Sequence, residues 1–413
     1  MAAELGVSAG TDTRHRRGSR GFARVCLAMF AAGLATFTTL YCVQALLPSL
    51  AGQFHLSPAS ASLAVSVSTA GLAIGVIPLT ALSEAVGRTT MMTASLFISA
   101  GLGILAAVSP TFGVLLVLRA LQGLALAGLQ AVAMTYLAEE LHRDSLGFSM
   151  GLFIAGNGFG GMVGRLLAAL VGDLAGWRWA LAVVGVVALA CSIVFRLTVL
   201  PSAQFRPRPL RFGALAGSVL RACTDTGLLR LFAIGVLAMS GLVTVYNYLG
   251  FRLLGPPFGL SGSIVGLIFV VYLAGSVSST MAGRLADRFG RQRMLWLAAI
   301  VMLAGVALLY PNRLAVVVAG LVVLTVGFFA VHSLASSWVG ARSATLGVQG
   351  SAVYLCSYYL GSAVGGSLGG IAFGSGGWPA TTWYVGALTL LVLVLGVSVR
   401  RLVPARRAAT SPV

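Results

Sequence analysis

The apolar positions of the chain are grouped in long runs, separated by short polar turns. A bilayer crossing needs about 20 mostly apolar residues. Twelve runs approach or exceed that length: 25–47, 59–82, 91–109, 112–137, 146–171, 177–199, 228–250, 262–282, 294–311, 314–338, 347–372 and 379–399. None shows the apolar–polar alternation that marks the strands of a membrane β-barrel. The pattern predicts an all-α integral membrane protein with 12 transmembrane helices. Arg14, Arg16, Arg17, Arg20 and Arg24 precede the first run as they would a secretory signal, and Arg16–Arg17 mimics a twin-Arg export pair. The run is too long for a signal and lacks an Ala-x-Ala-like exit, so it is expected to be a retained helix.

Composition agrees with the pattern. Of 413 residues, 58% are hydrophobic and 9% charged, too few charges to cover a soluble surface of this size. The formal charge of +18 raises the question of nucleic acid, but the basic residues, all 27 of them Arg, are dispersed in small groups between apolar runs. With twelve crossings, 22 of them fall on one side. Arg178, Arg252 and Arg313 fall on the other, and Arg119 and Arg165 lie inside runs. The positive-inside rule then places both termini in the cytoplasm of a cell's inner membrane. The expected organisation is an Arg-rich cytoplasmic tail (1–24), a six-helix bundle (25–199), a cytoplasmic linker (200–227), a second six-helix bundle (228–399) and a cytoplasmic tail (400–413). The linker, rich in Arg and Pro at Arg206, Pro207, Arg208, Pro209 and Arg211, is expected to be solvated. The five cysteines are scattered and suggest neither disulfides nor a metal site. No metal or cofactor is expected.

The two halves repeat. Phe54, Leu56 and Ser57 recur as Phe258, Leu260 and Ser261; Leu82–Arg88 recurs as Leu285–Arg291. Gly156, Gly160, Gly161 and Gly164 recur as Gly361, Gly365, Gly366 and Gly369, and Gly176–Trp177 as Gly377–Trp378. Because six crossings separate the copies, the halves share one orientation and are related by a pseudo-two-fold axis along the membrane normal. Parallel repeats of this kind serve transport about a site near the midplane.

The turns at 80–90 and 283–293 are where the chain resembles a known family, the major facilitator superfamily. Its signature Gly-x-Leu-x-Asp-x-x-Gly-Arg-Lys/Arg is met at Gly283, Leu285, Asp287, Gly290 and Arg291 of the segment Gly283–Arg293, with Gln292 in the basic position and Arg293 next to it. The first copy keeps Gly87 and Arg88 but has Thr80, Glu84 and Thr89 at other signature positions. The resemblance implies a conformational latch across the interface between halves, formed by Glu84, Gly87, Arg88, Gly283, Asp287, Gly290 and Arg291. A plain positive-inside turn is the alternative.

Arg119-Ala-Leu-Gln122-Gly123 resembles a second signature, Arg-x-x-Gln-Gly, whose Arg the resemblance associates with proton coupling. An Arg in hydrocarbon costs about 2.5–3.5 kcal/mol on insertion scales, so Arg119 should face a polar partner, with Gln122 on the same helical face. A structural Arg bound to carbonyls is the alternative. Gly147, Gly156, Gly160 and Gly164 resemble the family's antiporter signature, with Gly161 in place of Pro and Arg165 in place of the last Gly. Arg165 is expected near the external mouth, with Asp173 as a candidate partner. The resemblance also implies a cavity lined by the first, fourth, seventh and tenth crossings. Their polar and aromatic residues include Tyr41, Gln44, Arg119, Gln122, Gln130, Tyr246, Asn247, His332 and Trp338.

Two motif matches carry no chemistry: the dinucleotide-like Gly156-x-Gly158-x-x-Gly161 follows no strand, and Glu139-x-x-His142 is half a di-iron pattern. The sequence therefore predicts a transporter and not an enzyme. It is expected to act as a monomer by alternating access, exporting small amphipathic, drug-like compounds in exchange for protons. An aromatic, sparsely charged lining favours neutral or cationic compounds over polyanions. A sugar or metabolite exporter or facilitator is the alternative in the same class. A membrane receptor would need a larger extramembrane part. The partners expected are the small-molecule substrate, protons and the lipid bilayer, with no nucleic acid.

Overall fold

A computed structural model describes residues 14–202, 205, 212–347 and 349–399. The extreme tails and the Arg–Pro stretch Arg206–Arg211 lie outside the described residues. Helix α1 (Arg20–Tyr41) runs through a 3-10 turn (Cys42–Leu46) into α2 (Leu47–Phe54). There follow α3 (Pro58–Val86), α4 (Arg88–Ala107), α5 (Phe112–Glu140), α6 (Arg143–Ala175) and α7 (Trp177–Thr198). Helix α8 (Phe212–Thr224) lies in the connection and leads to α9 (Thr226–Leu254). Helix α10 (Gly262–Ile268) joins α11 (Tyr272–Phe289) through a 3-10 turn, Phe269–Val271. Helices α12 (Arg291–Leu308), α13 (Leu314–Leu346) and α14 (Gly350–Ser398) complete the chain.

Among the described residues, eleven continuous helical stretches are long and apolar enough to cross a membrane. They make twelve crossings, because the backbone of α14 leaves the helix at Gly376 and Gly377 and so divides it in two. The twelve-helix expectation holds, six crossings standing on each side of α8. The helices overrun the apolar stretches at their polar ends: α1 starts at Arg20, α5 reaches Glu140 and α13 reaches Leu346. Backbone hydrogen bonds continue past the hydrocarbon edge wherever a cap allows it.

The repeat is visible in the caps. Ser57 and Ser261 occupy equivalent N-caps and accept from Ser60 N and Ile264 N. Gly87 and Gly290 each end one helix and begin the next at φ 98° and 91°, a backbone region a side chain disfavours. The connection departs from the expected solvated linker in containing α8, whose Ser218 hydroxyl accepts from Gln349 N. The N-terminal segment also departs from a trailing tail. His15 N donates to Glu140 O, His15 O accepts from His142 N, and Arg17 N donates to Ser145 Oγ.

The first helix of each half is the most enclosed. The apolar window of α1–α2 is 78% buried and that of α9 72%, against 33–50% for the other crossings. These two helices therefore form the centre, and the remaining crossings face lipid on one side.

Candidate functional site

Arg119 is buried on α5, and its guanidinium binds three other groups of backbone atoms as well as one side chain. Nε donates to Ala64 O (3.1 Å), Nη1 to Thr39 O (2.8 Å) and Gln122 Oε1, and Nη2 to Leu40 O (2.6 Å). Thr39 and Leu40 lie where α1 gives way to the 3-10 turn, so Arg119 adds its donors at the break in the first crossing, where Cys42 Sγ also donates to Thr39 O. Gln122 in turn donates to Ser99 O on α4 (2.9 Å), and Ser68 Oγ on α3 donates to Arg119 O (2.8 Å). Arg119 and Gln122 thus tie four helices of the first half together beside a small void lined by Thr39, Cys42, Gly103 and Leu181. The expected pairing of Arg119 with Gln122 is present.

A second buried arginine stands between the halves. Arg165 on α6 donates from Nε to Gln44 Oε1 (2.7 Å) and from Nη1 to Gly161 O (2.6 Å). Gln44 Nε2 donates across the interface to Asn247 Oδ1 (2.7 Å) on α9. The guanidinium carbon lies 5.0 Å from the Tyr41 ring centre, 5.2 Å from Tyr246, 5.8 Å from Phe269 and 4.7 Å from Tyr272. This is an aromatic cage with rings from both halves. Tyr246 Oη pairs with Thr325 Oγ1 on α13 (2.9 Å). Asp173, the partner expected for Arg165, accepts instead from Ser263 N (3.0 Å) and Ser263 Oγ (2.7 Å). Two helical turns separate Asp173 from Arg165, and the Arg side chain bends back toward its own preceding turn.

From the cage a chain of rings leads to His332. Tyr272 meets Phe329 at 5.0 Å, Phe329 meets Phe328 at 5.3 Å, and His332 lies 4.5 Å from Tyr358. Phe328 stacks on His332 at 6.1 Å. His332 Nδ1 bonds Tyr354 Oη at 3.0 Å. Tyr41, Gln44, Tyr246, Asn247 and His332 therefore join one lining, whereas Arg119 and Gln122 sit to the side of it within the first half. Gln130 and Trp338 are only partly buried. Phe269, Tyr272, Tyr354 and Tyr358 escaped the sequence reading. They lie in uniformly apolar helices, where no periodic signal tells a lining face from a lipid face.

The turn motifs form contacts within a half. Arg88 donates to Ser83 Oγ (2.6 Å) and pairs with Glu139 on α5 (3.2 Å). The expected bridge across the interface is not made in this conformation: Asp287 and Arg291 are exposed, and no partner joins them or Glu84 among the described residues. Near the same end of the second half, Arg342 Nε and Nη2 hold Asp225 at 2.6 and 2.7 Å, an ion pair the sequence did not signal.

The glycine series of α6 makes the close approach expected of it. A methyl group added at Gly156, Gly160 or Gly164 would overlap the carbonyl oxygens of Phe30, Leu34 and Thr38 on α1. Gly361, Gly365 and Gly369 of α14 meet Val236, Ser240 and Thr244 of α9 in the same register. Thr38 Oγ1 donates to Gly160 O, and Thr244 Oγ1 to Gly365 O. Gly147 is the exception: it is exposed, with open space around it, so it takes no part in this packing.

Contacts between the halves cluster at the end away from α8. Besides Gln44–Asn247, Ser367 Oγ donates to Ser66 Oγ (3.0 Å), and Asp173 binds Ser263.

A family model described as Major Facilitator Superfamily matches residues 25–339 and, in a second match, 231–413. The inner membrane transport protein YnfM of Escherichia coli is 42% identical over 94% of this chain and 93% of its own. The MFS-type transporter YybF of Bacillus subtilis is 40% identical over 92% of this chain and 93% of its own. The fold is similar to a crystal structure of a bacterial homologue of the human lysosomal transporter Spinster, in an inward-facing and occupied conformation. That likeness has a TM-score of 0.70 at 15% identity and covers 92% of this chain and 94% of that one.

Proposed function

The chain belongs to the major facilitator superfamily and is a secondary transporter, not an enzyme; we propose that it exports small amphipathic, drug-like compounds across the inner membrane in exchange for protons. The observation that carries this reading is the asymmetric contact of the two halves around a buried cluster of aromatic rings. Gln44–Asn247, Ser66–Ser367 and Asp173–Ser263 join the halves at one end, while Asp287 and Arg291 are exposed on the turn at the other. Alternating access requires these two ends to close in turn. By the Arg distribution, the end bearing α8 and both tails faces the cytoplasm. The bundles 25–199 and 228–399 are the bodies that rock, each held internally by its glycine-lined helix pair.

His332 is the group we assign to the proton. Its imidazole belongs to the lining and bonds Tyr354, whereas Arg119 gives its donors to backbone carbonyls and serves to position the broken first crossing. The latch is then a feature of the opposite state, in which Asp287 and Arg291 meet the first half. One proton entering contributes about 2.3 kcal/mol per 100 mV, enough for a roughly fifty-fold substrate gradient. The few carboxylates and amides in the lining count against a sugar.

The test is internal pH in acid-loaded liposomes carrying the purified protein, with amphipathic compounds and then sugars added outside. Proton efflux should follow an amphipathic compound and vanish in His332→Gln. Substrate equilibration with no proton movement would make the protein a facilitator and end the export claim.

A further inference from the structure

The arginines buried among the helices differ in what satisfies them. Arg119 spends its donors on Ala64, Thr39, Leu40 and Gln122, and Arg252 spends its own on the carbonyls of Leu309, Tyr310 and Pro311 and on Asn312. These are fixed attachments of one helix to its neighbours. Three features mark Arg165. Its partners are all uncharged, Gln44 and Gly161 through hydrogen bonds at 2.7 and 2.6 Å and the Tyr272 side chain, so none of them offsets its charge. Among the described residues it has no carboxylate partner, since Asp173, two turns along α6, is engaged by Ser263. And it lies at the interface between the halves, where Gln44 links it to Asn247, whose buried Nδ2 has no hydrogen-bond partner.

Aromatic faces attract a cation but do not neutralise it. A guanidinium held in a low-dielectric interior without a counter-ion gains most from a mobile anion, and its planar fork matches a carboxylate. The surrounding rings supply apolar surface for the remainder of such a ligand. A cationic compound in the same place would meet like charge. The expectation of neutral or cationic substrates rested on a lining that did not include Arg165, and its position reverses the sign.

We propose that the transported compound carries one anionic group, a carboxylate in the simplest case, on an aromatic body, and that Arg165 receives that group. This rests on the reading of the half interface as the transport cavity and adds the charge of the cargo to it. Outward passage of an anion is also favoured by an inside-negative potential, so such a substrate uses the membrane potential even where the lining has no carboxylate of its own.

The test uses three compounds of one skeleton, 4-phenylbutyrate, 4-phenylbutanol and 4-phenylbutylamine, at pH 7.5. Apparent affinity is read from the concentration dependence of the Tm of the full-length protein in detergent. The acid should bind at least about tenfold more tightly than the alcohol or the amine. Arg165→Gln should lose about that factor for the acid and keep its affinity for the alcohol. If the alcohol or the amine binds as well as the acid, the anion proposal fails and amphipathic export stands. Binding by none of the three overturns both. The ranking in the unmodified protein is decisive even if Arg165→Gln proves too unstable to measure, and Arg165→Lys, which keeps the charge but loses the fork, should show an intermediate preference.

Discussion

Arg119 and Arg165 carry the same charge in similarly enclosed places, and the difference between them lies in their partners. Four acceptors on two neighbouring helices and its own make Arg119 part of the scaffold. Removing it takes a charged donor from the carbonyls of Thr39, Leu40 and Ala64 and leaves a void among buried helices, and a lost buried hydrogen bond to a charged group costs about 1.5–3 kcal/mol. Arg119→Ala should therefore lower the Tm by several degrees and abolish transport together. Arg119→Lys should not rescue either property, because a point ammonium lacks the fork that reaches the carbonyls of α1 and α3 and the Gln122 amide at once. Thermal melts and flux in the same preparation check this; a variant with wild-type Tm and no flux would return Arg119 to a direct coupling role.

At the level of helices, the glycine series predicts a contrast within one motif. Gly160→Val should force α6 away from α1, since its added atoms would overlap Leu34 O, and Gly365→Val should do the same between α14 and α9. Gly147→Ala should leave transport unchanged and folding stability within about 0.5 kcal/mol of the parent, having no neighbour to displace. Flux and melts of the three variants side by side give the answer, and an equal loss at Gly147 would mean that it packs in another state of the cycle.

The ends of α9 and α13 are joined by Asp225 and Arg342, and Asp225 also caps α9 through Leu228 N (2.8 Å). The hydrogen bonds from Arg342 hold the Asp225 carboxyl below its ordinary range. A carboxylate whose pKa is depressed on folding contributes stability above its unfolded value, near pH 3.9, and loses it as pH falls through the lowered folded value. The Tm of the parent should accordingly fall more steeply below about pH 4 than that of Asp225→Asn, which starts lower at neutral pH. Parallel acid limbs in the two melting series would show that the pair contributes nothing.

On the scale of the whole molecule, the closed end and the disengaged latch make separate predictions. Ser66 and Ser367 face each other across the halves with hydroxyl oxygens 3.0 Å apart. A Ser66→Cys, Ser367→Cys double variant should oxidise readily, stop transport while the bond is intact, and recover on reduction. Transport that persists with the cross-link in place would rule out separation of the halves at that point. Asp287, exposed and unpaired here, should matter in the other state. Asp287→Asn is expected to slow turnover severalfold without changing substrate affinity, as measured by initial flux over a range of concentrations.

The number of crossings, the repeat, the turn glycines and the close-packed glycine faces could all be read from the chain. Each reports a property that one stretch of residues has by itself: contact with hydrocarbon, a backbone angle, or the absence of a side chain. The halves match so well in sequence because Ser57 and Ser261, or Gly87 and Gly290, perform the same local task twice. What the chain did not disclose is pairing between distant stretches. That Arg88 takes Glu139, that Asp173 takes Ser263 and leaves Arg165 without a carboxylate, and that Tyr272 faces the interface all depend on how each helix is rotated against its neighbours. In a helix apolar all round, periodicity cannot set that rotation, because lipid and protein interior are equally apolar solvents. The sequence determines that this chain crosses the membrane twelve times as two like halves. Only the tertiary packing decides which buried cation is bound into the scaffold and which is left at the interface between them.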